Sequence, residues 1–421
     1  MNRPATSKAK WAGDSPRAYN RTNVMKQVLE TPGIDRTTLS KATGLTNAAM
    51  TRIVQELIDA KLLKDVGQLQ SDGRGRRRSG LAIEETGGYV LGISILAFNS
   101  RIVLSSITGE IIDSLPIEPT ELSNVQQTLD EIAQMALSLL DKHKLDKTRV
   151  LGTGVAVAGY LNESGDVLDP SYHLGWPAFN LERSLEKRLN LNVVVDNVNR
   201  CIAVAESRLG SCVGVQEMVL IRAALGLGAA IITQGNIMRG HANRAGQIGH
   251  IPINRDGLLC SCGAQGCLNT VASGWAILNQ LGLSDKPRTG PGDLKTHKDK
   301  LKHVLEQSSA GDQNFQKVIS KSGELLATHN LSLLHSLAPE IIVLTGPLGA
   351  NTVYCDAFKA ALLKGGVSSK VITNCDQNIT ASASAASALA LETYVYSPSF
   401  DIQPLLPDVQ VDDFQAETLI L

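Results

Sequence analysis

Between Gly246 and Cys267 the chain reads GQIGHIPINRDGLLCSCGAQGC, and no other stretch restricts its folding as much. His250, Cys260, Cys262 and Cys267 fall within eighteen residues, taking three of the seven cysteines and one of the eight histidines. One imidazole and three thiolates make a four-ligand set for tetrahedral zinc, and a closed set of that kind is structural rather than catalytic. The glycines at 246, 249, 257, 263 and 266 let the backbone turn tightly enough to bring the ligands round one ion. A flexible glycine-rich loop with idle thiols is the competing reading, and the C-x-C-x4-C spacing argues against it.

Together, G-x-x-G-H (Gly246 to His250) and C-x-C-G-x-x-G-C-L (Cys260 to Leu268) resemble the signature of the ROK family, which groups bacterial sugar-responsive repressors with sugar kinases. The resemblance runs from about Thr22 to about Tyr394. It implies a structural zinc on His250 and the three cysteines, with the same histidine beside a sugar. It also implies the two-lobed actin-like ATPase fold, with a ligand cleft between the lobes. Whether the chain is a repressor, a kinase or both has to come from other residues.

At 421 residues, two or three domains are expected, and 43% hydrophobic content suits a sizeable core. No apolar run approaches the roughly 20 residues of a membrane span, and MNRPATSKAKWAGDSPR has no signal-peptide core. An odd cysteine count with a zinc-like cluster points to a reducing compartment, so the cytoplasm is expected. The net charge of −1 is unevenly spread. Residues 1–85 carry 15 Lys/Arg against 9 Asp/Glu, a balance of +6, whereas the rest carry 25 against 32, a balance of −7. A basic segment on an acidic body suggests a polyanionic partner.

Residues 1–20 are polar and expected to be mobile. From Thr22 the helical period is clear. Val24, Val28 and Leu29 form one apolar face; Ile34-Asp35 opens a second short helix with Leu39 and Ala42 inward; Leu45-Thr46 starts a third with Ile53, Val54, Leu57 and Ile58 inward. Two short helices joined at Gly44, the second exposing Thr46, Asn47, Ala48, Thr51 and Arg52, are laid out like a helix-turn-helix. A plain three-helix bundle would show the same periodicity. The strands at 62–66 and 81–83 decide between the two, because SDGRGRRRSG between them puts Arg74, Arg76, Arg77 and Arg78 on a hairpin tip. This resembles the wing of a winged helix-turn-helix, whose arginines meet phosphates or a narrow minor groove. ROK repressors carry a similar G-x-G-R wing, and the family's kinases lack this domain. Double-stranded operator DNA is the expected partner.

From Gly87 the pattern turns α/β, with strands at 89–95, 100–107, 110–113, 150–157, 192–196, 217–222, 229–233 and 341–344 and helices at 125–143 and 181–189. The expected fold is therefore α/β, an N-terminal winged helix-turn-helix followed by a two-lobed actin-like ATPase (ROK) fold. The expected division is 1–20 flexible, 21–85 DNA-binding, 86–395 a ROK effector and oligomerisation body, and 396–421 an acidic tail.

Kinase chemistry on this fold requires a glycine turn to cradle ATP phosphates and a carboxylate base. The family's kinases place D-x-G-G-T at the end of the first strand. Here the chain runs Gly92-Ile93-Ser94-Ile95-Leu96-Ala97-Phe98-Asn99, with no acid and no glycine pair. In the segment resembling E-N-D-x-N-A-A-A-x-A-E, either Val198 or Asn197 occupies the base position, depending on register, and neither accepts a proton at neutral pH. Gln247 and Asn269 replace two glutamates that contact sugar hydroxyls in the family. The resemblance thus implies a ligand site from Gly159, Asp196, Asn197, Gln247, His250 and Asn269, with no catalytic residue. Gly154 to Gly159 resembles the family's G-x-x-x-P-G turn, with Ala158 for the proline, and Gly226-x-Gly228 and Thr345-Gly346-Pro347-Leu348 resemble glycine turns of the second lobe.

The expected protein is a transcriptional regulator, most simply a repressor, forming a homodimer or dimer of dimers and sensing a small carbohydrate-like effector. A bifunctional sugar kinase with a DNA-binding head, and a ligand-free regulator controlled by a partner protein, are the alternatives.

Overall fold

The computed structural model describes residues 16–69, 78–118, 121–171, 173–284, 291–373 and 382–407. Its first helix, α1 (Pro16–Glu30), starts inside the segment expected to be mobile. Proline suits the first helical turn, where a missing N–H costs nothing. Arg17 and Arg21 also tether that turn to Glu56 at 2.9 and 3.3 Å.

Ile34 and Asp35 do not open a helix as expected. They form β1 (Ile34–Asp35), antiparallel to β3, and the helix follows as α2 (Arg36–Thr43). The Asp35 carboxylate explains the shift, since it accepts from Thr37 N and Thr38 N at 2.8 and 3.1 Å. Such a cap is worth about 1 kcal/mol. Gly44, at φ 71°, ends α2 in the left-handed conformation, and Thr46 caps α3 (Asn47–Asp59) by accepting from Ala49 N. β2 (Leu63–Leu69) and β3 (Arg78–Ile83) complete a three-stranded sheet in the order β1-β3-β2. The tip between them lies outside the described residues.

Two five-stranded sheets follow, one per lobe. The first holds β4 (Tyr89–Ile95), β5 (Ser100–Ser106), β6 (Ile111–Ile117), β7 (Val150–Val157) and β8 (Val193–Asn197) in the order β6-β5-β4-β7-β8. Helices α4 (Val125–Lys142), α5 (Leu181–Leu189) and α6 (Val198–Arg208) belong to the same lobe. The second sheet holds β9 (Met218–Ala223), β10 (Leu227–Thr233), β11 (Asn236–Ile237), β12 (Ile341–Thr345) and β13 (Lys370–Ile372) in the order β11-β10-β9-β12-β13. In both, antiparallel strands on one side give way to parallel strands on the other. This repetition is the two-lobed actin-like architecture. Around the second sheet run α7 (Asn269–Ala272), α8 (Gly274–Gln280), α9 (Pro291–Ser309), α10 (Gln313–Leu337), α11 (Gly346–Gly349) and α12 (Thr352–Lys364).

The last helix, α13 (Ser382–Tyr394), returns to the first lobe and lies against β4, β7 and α6. Its alanines allow the approach, and so do Gly92 and Gly154, where a Cβ would sit 2.1 Å from Ala383 O and 1.9 Å from Ala386 O. Each lobe has its own apolar core, and a third cluster between them joins Val198, Cys201 and Ile202 of α6 to Leu220, Ala230 and Val343 of the second sheet and Ala385 of α13.

The expected breaks after residue 85 and at residue 396 do not separate independent cores. Val24, Leu57 and Leu81 of the head share one cluster with Val90, Ile107, Leu391, Tyr396, Phe400, Ile402 and Leu405. A small head buries a limited share of its apolar surface, and the chain end adds to its core. Tyr396 Oη donates to Ile107 O at 2.6 Å, so residues 396–407 are packed structure rather than acidic tail. Asp408, Asp412, Asp413 and Glu417 lie outside the described residues.

Candidate metal centre and interlobe cleft

The segment after β11 places the metal candidates. His250 closes a 3-10 turn (Ile248–His250), and two isolated bridges, Pro252 with Cys267 and Leu259 with Gln265, fold the cysteine segment back on it. Gly266 cannot carry a side chain, because a Cβ there would lie 1.5 Å from Asn254 O. The ligand atoms of His250, Cys260, Cys262 and Cys267 all lie within 4.8 Å of one another. Cys260 Sγ is 3.6 Å from His250 Nδ1, and Cys262 Sγ is 3.7 Å from Cys267 Sγ. Tetrahedral bonds of about 2.3 Å require ligand atoms about 3.7 Å apart, so the donor set fits zinc in number, chemistry and spacing. Burial, then Cys262 and Cys260, push the Cys267 thiol up to about 12. A bound divalent cation reverses that preference by stabilising thiolates.

At the carboxyl end of β8, Asp196 and Asn197 enter the cleft between the lobes. Asp196 is 2% exposed, and both its oxygens are engaged: Arg200 Nε at 2.6 Å and Arg239 Nη2 at 2.9 Å. Asn197 caps α6 by accepting from Asn199 N, and its amide donates to Gly159 O at 2.7 Å. Asn269 Oδ1 accepts from Leu227 N at 2.7 Å. These residues therefore brace the cleft as much as they line it. In the cleft, the buried donors Gln247 Nε2 and Arg200 Nη2 have no partner among the described residues. Val198 is buried in the interlobe cluster, so no carboxylate stands at either base register.

Ion pairs and hydrogen bonds span the cleft at two places. From the second lobe, Arg239 meets Asp196, Arg244 meets Asp169 and stacks over Tyr160, and Asn243 Nδ2 donates to Asn162 O at 2.6 Å. Elsewhere, Lys298 on α9 donates to Asn99 Oδ1 at 2.8 Å and sits 4.9 Å from the Phe98 ring centroid. The turn that cradles phosphate in the family's kinases is thus engaged by α9.

In the head, Thr46, Asn47, Ala48, Thr51 and Arg52 are all exposed, whereas Met50, Ile53, Val54 and Leu57 of the same helix are buried. One face of α3 is therefore presented to solvent near the helix start. Arg78 begins β3, and Arg74, Arg76 and Arg77 lie outside the described residues.

The ROK family profile matches residues 92–392, more than two thirds of the chain. The chain belongs to the ROK family. It is 31% identical over 265 residues to the xylose repressor of Caldicellulosiruptor bescii, covering 62% of this chain and 65% of that protein's length. It is 25% identical over 342 residues to the Escherichia coli K12 DNA-binding transcriptional dual regulator NagC, covering 80% and 82%. Among solved structures, a ROK family transcriptional regulator described as a homolog of the E. coli MLC protein superposes with TM-score 0.74 and 24% identity, covering 93% of this chain and 99% of that one. A ROK family glucokinase from Streptomyces griseus, solved with glucose and AMPPNP, gives 0.59 and 22%, covering 72% and 99%.

Within this ROK cleft, reading the sequence missed Arg200, Arg239, Arg244 and His173. Arg200 was visible only as one turn beyond Asp196 on a helix. Arg239 and Arg244 lie on the connection after β11 and His173 on another loop, and no local spacing marks them. His173 is held below its usual pKa by the desolvating protein around it and then by His250.

Proposed function

We propose that this ROK protein is a DNA-binding transcriptional regulator, a repressor of carbohydrate-related genes, that responds to a sugar or sugar derivative in the interlobe cleft. The observation that carries this reading is the α3 face, where four small or polar residues (Thr46, Asn47, Ala48 and Thr51) and Arg52 stay exposed over a fully packed opposite face. Such a face suits base edges in the major groove, with the basic hairpin tip adding phosphate contacts. The relatives named xylose repressor and NagC support regulation rather than catalysis. So does the absence of a carboxylate at either base register.

Helix α6 links the cleft to the head. Its first turn holds Asn197 and Arg200 in the cleft, and at its other end Arg208 pairs with Glu392 on α13 at 3.0 Å. Glu392 pairs in turn with Lys26 on α1 at 3.3 Å. Arg149 of the first lobe donates to Ala60 O and Gly87 O at 2.6 and 3.0 Å, tying the end of α3 to the body. A ligand that changes lobe closure therefore acts on the orientation of α3, and in a homodimer or dimer of dimers on the spacing of two recognition faces. Zinc on His250, Cys260, Cys262 and Cys267 holds the second lobe's side of the cleft in shape. No helix among the described residues is long and apolar enough to cross a membrane, and the proposed location is the cytoplasm.

The test is selection of bound fragments from genomic DNA by the full chain, followed by titration of the recovered sites with a sugar panel. Nanomolar sites beside carbohydrate genes, released by one class of sugar, are expected. Binding no tighter to any site than to random DNA would end the regulator reading.

A further inference from the structure

One guanidinium facing the cleft has no counter-ion among the described residues. Along β9, Met218 and Leu220 face the interlobe cluster, whereas Val219, Ile221 and Ala223 face the second lobe's own core. Alternation puts Arg222, near the strand's carboxyl end, on the interlobe face. Its antiparallel partner is Gly228 and its parallel partner is Thr345, and both share that face. The same alternation holds on β10 and β12, where Ala230 and Val343 belong to the interlobe cluster.

Opposite this corner stands the first turn of α6. A Cβ on Gly228 would come within 2.3 Å of Asn199 Nδ2, so the missing side chain leaves Asn199 directly over the strand pair. Arg222, Asn199 and Thr345 make no side-chain hydrogen bond or ion pair among the described residues. Desolvation alone acts on Arg222, lowering its pKa, yet a guanidinium remains charged at neutral pH. Close by, Asn269 holds Leu227 N, and Arg200 keeps a free Nη2 beneath Asp196. Arg222 is half-buried, so a ligand can reach a guanidinium that the surrounding protein desolvates without supplying an anion.

The charge on this side of the cleft is unbalanced as well. Among the described residues, Arg200, Arg239 and Arg244 pair only with Asp196 and Asp169, and Val198, Gln247 and Asn269 add no acid. We propose that Arg222, flanked by Asn199 and Thr345, is a binding site for the oxyanion, phosphate or carboxylate, of a small ligand held between the lobes. This rests on the cleft being a ligand site, as proposed above, and adds that the ligand is an anion. The planar guanidinium takes two oxygens at once, while the Asn199 amide and Thr345 hydroxyl supply the remaining donors.

The test uses the full zinc-loaded chain at constant ionic strength, with inorganic phosphate as the first probe. Phosphate is expected to raise Tm and to bind by calorimetry. R222Q should weaken it at least tenfold, R222K should retain part of it, and R255Q, changing an exposed arginine, should leave it unchanged. Without phosphate, R222Q should melt at the same temperature or higher, because it removes an unpaired charge. A lower Tm for ligand-free R222Q, or equal phosphate binding by R222Q, overturns the site. Glucose 6-phosphate, glucuronate and ADP then distinguish a sugar phosphate, a sugar acid and a nucleotide as the source of the oxyanion. Neutral sugars binding as well as their anionic forms would overturn the anion site and leave the sugar-responsive reading standing. If neither class binds while operator DNA does, both readings fail.

Discussion

At the residue scale, the four zinc candidates and Val198 make opposite cases. Cys260 is 2% exposed and 3.6 Å from His250 Nδ1, so a serine there fits the space but offers a weaker ligand. Cys260→Ser should lower zinc retention by ten- to a hundredfold, on the order seen when a metal site loses support, and should lower Tm by several degrees. Elemental analysis and melting curves check this; stoichiometric zinc in the variant, or none in the unmodified protein, would contradict the assignment. Val198, at 5% exposure, lies in an apolar cluster. A carboxyl group introduced there is desolvated, which favours its neutral form and costs more than the ~1–3 kcal/mol of burying a neutral polar group. A positioned base contributes typically 10²–10⁴-fold to a rate, but phosphoryl transfer depends mainly on a phosphate cradle, and Phe98 and Asn99 are held by Lys298 instead. Val198→Asp should therefore give no ATP-dependent phosphorylation of any hexose. A coupled assay showing turnover above a cleft-mutant control would overturn this.

At the element scale, the proposed regulator reading divides recognition between α3 and the hairpin. Asn47 and Arg52 are exposed on α3 over buried Met50 and Ile53, so changing them leaves the fold intact. Asn47→Ala or Arg52→Ala should alter which bases are preferred, each lost base contact costing about 1–3 kcal/mol at its own position. Replacing Arg74, Arg76, Arg77 and Arg78 together with alanine should weaken all sequences alike. It should also reduce the salt slope by up to a few units, each phosphate contact being worth about 0.9. Affinities measured across a salt series on operator and random DNA separate the two behaviours. An arginine variant that binds normally at every salt concentration removes the wing from the interface.

At the scale of the whole molecule, Glu392 joins the body helix α6 to the head helix α1 through Arg208 and Lys26. Both pairs are partly exposed, with Glu392 at 27%, so each adds no more than about 1 kcal/mol to stability. Glu392→Gln should leave Tm within a few degrees and ligand-free operator affinity within about threefold. The effector's influence on operator affinity, ordinarily 1–3 kcal/mol for such coupling, should shrink. Titrating operator binding with and without saturating effector measures it, and unchanged coupling would mean that the signal takes another route. Arg149→Ala, which frees two backbone carbonyls at the head's attachment, should instead destabilise the protein by about 1.5–3 kcal/mol.

Local chemistry was legible from the residues alone. The candidate metal ligands stand out because a metal set is written in residue type and spacing. The α3 face follows from a 3.6-residue period, and β4 (Tyr89–Ile95) and α5 (Leu181–Leu189) fall where apolar patterning puts them. The missing phosphate turn and base were equally readable, being absences at fixed places in a motif. What the tertiary structure decided lies between distant segments. Residues 396–407 look polar and terminal, yet Tyr396, Phe400 and Ile402 close the core of a head more than 300 residues earlier in the chain. Helix α1 extends back to Pro16 because Glu56, on another helix, holds its arginines. Arg222 sits in a strand whose sequence says only that an arginine interrupts an apolar run. Its lack of a partner is a property of the surfaces that meet there, since burial and charge balance depend on which segments the fold brings together and not on neighbours in the chain.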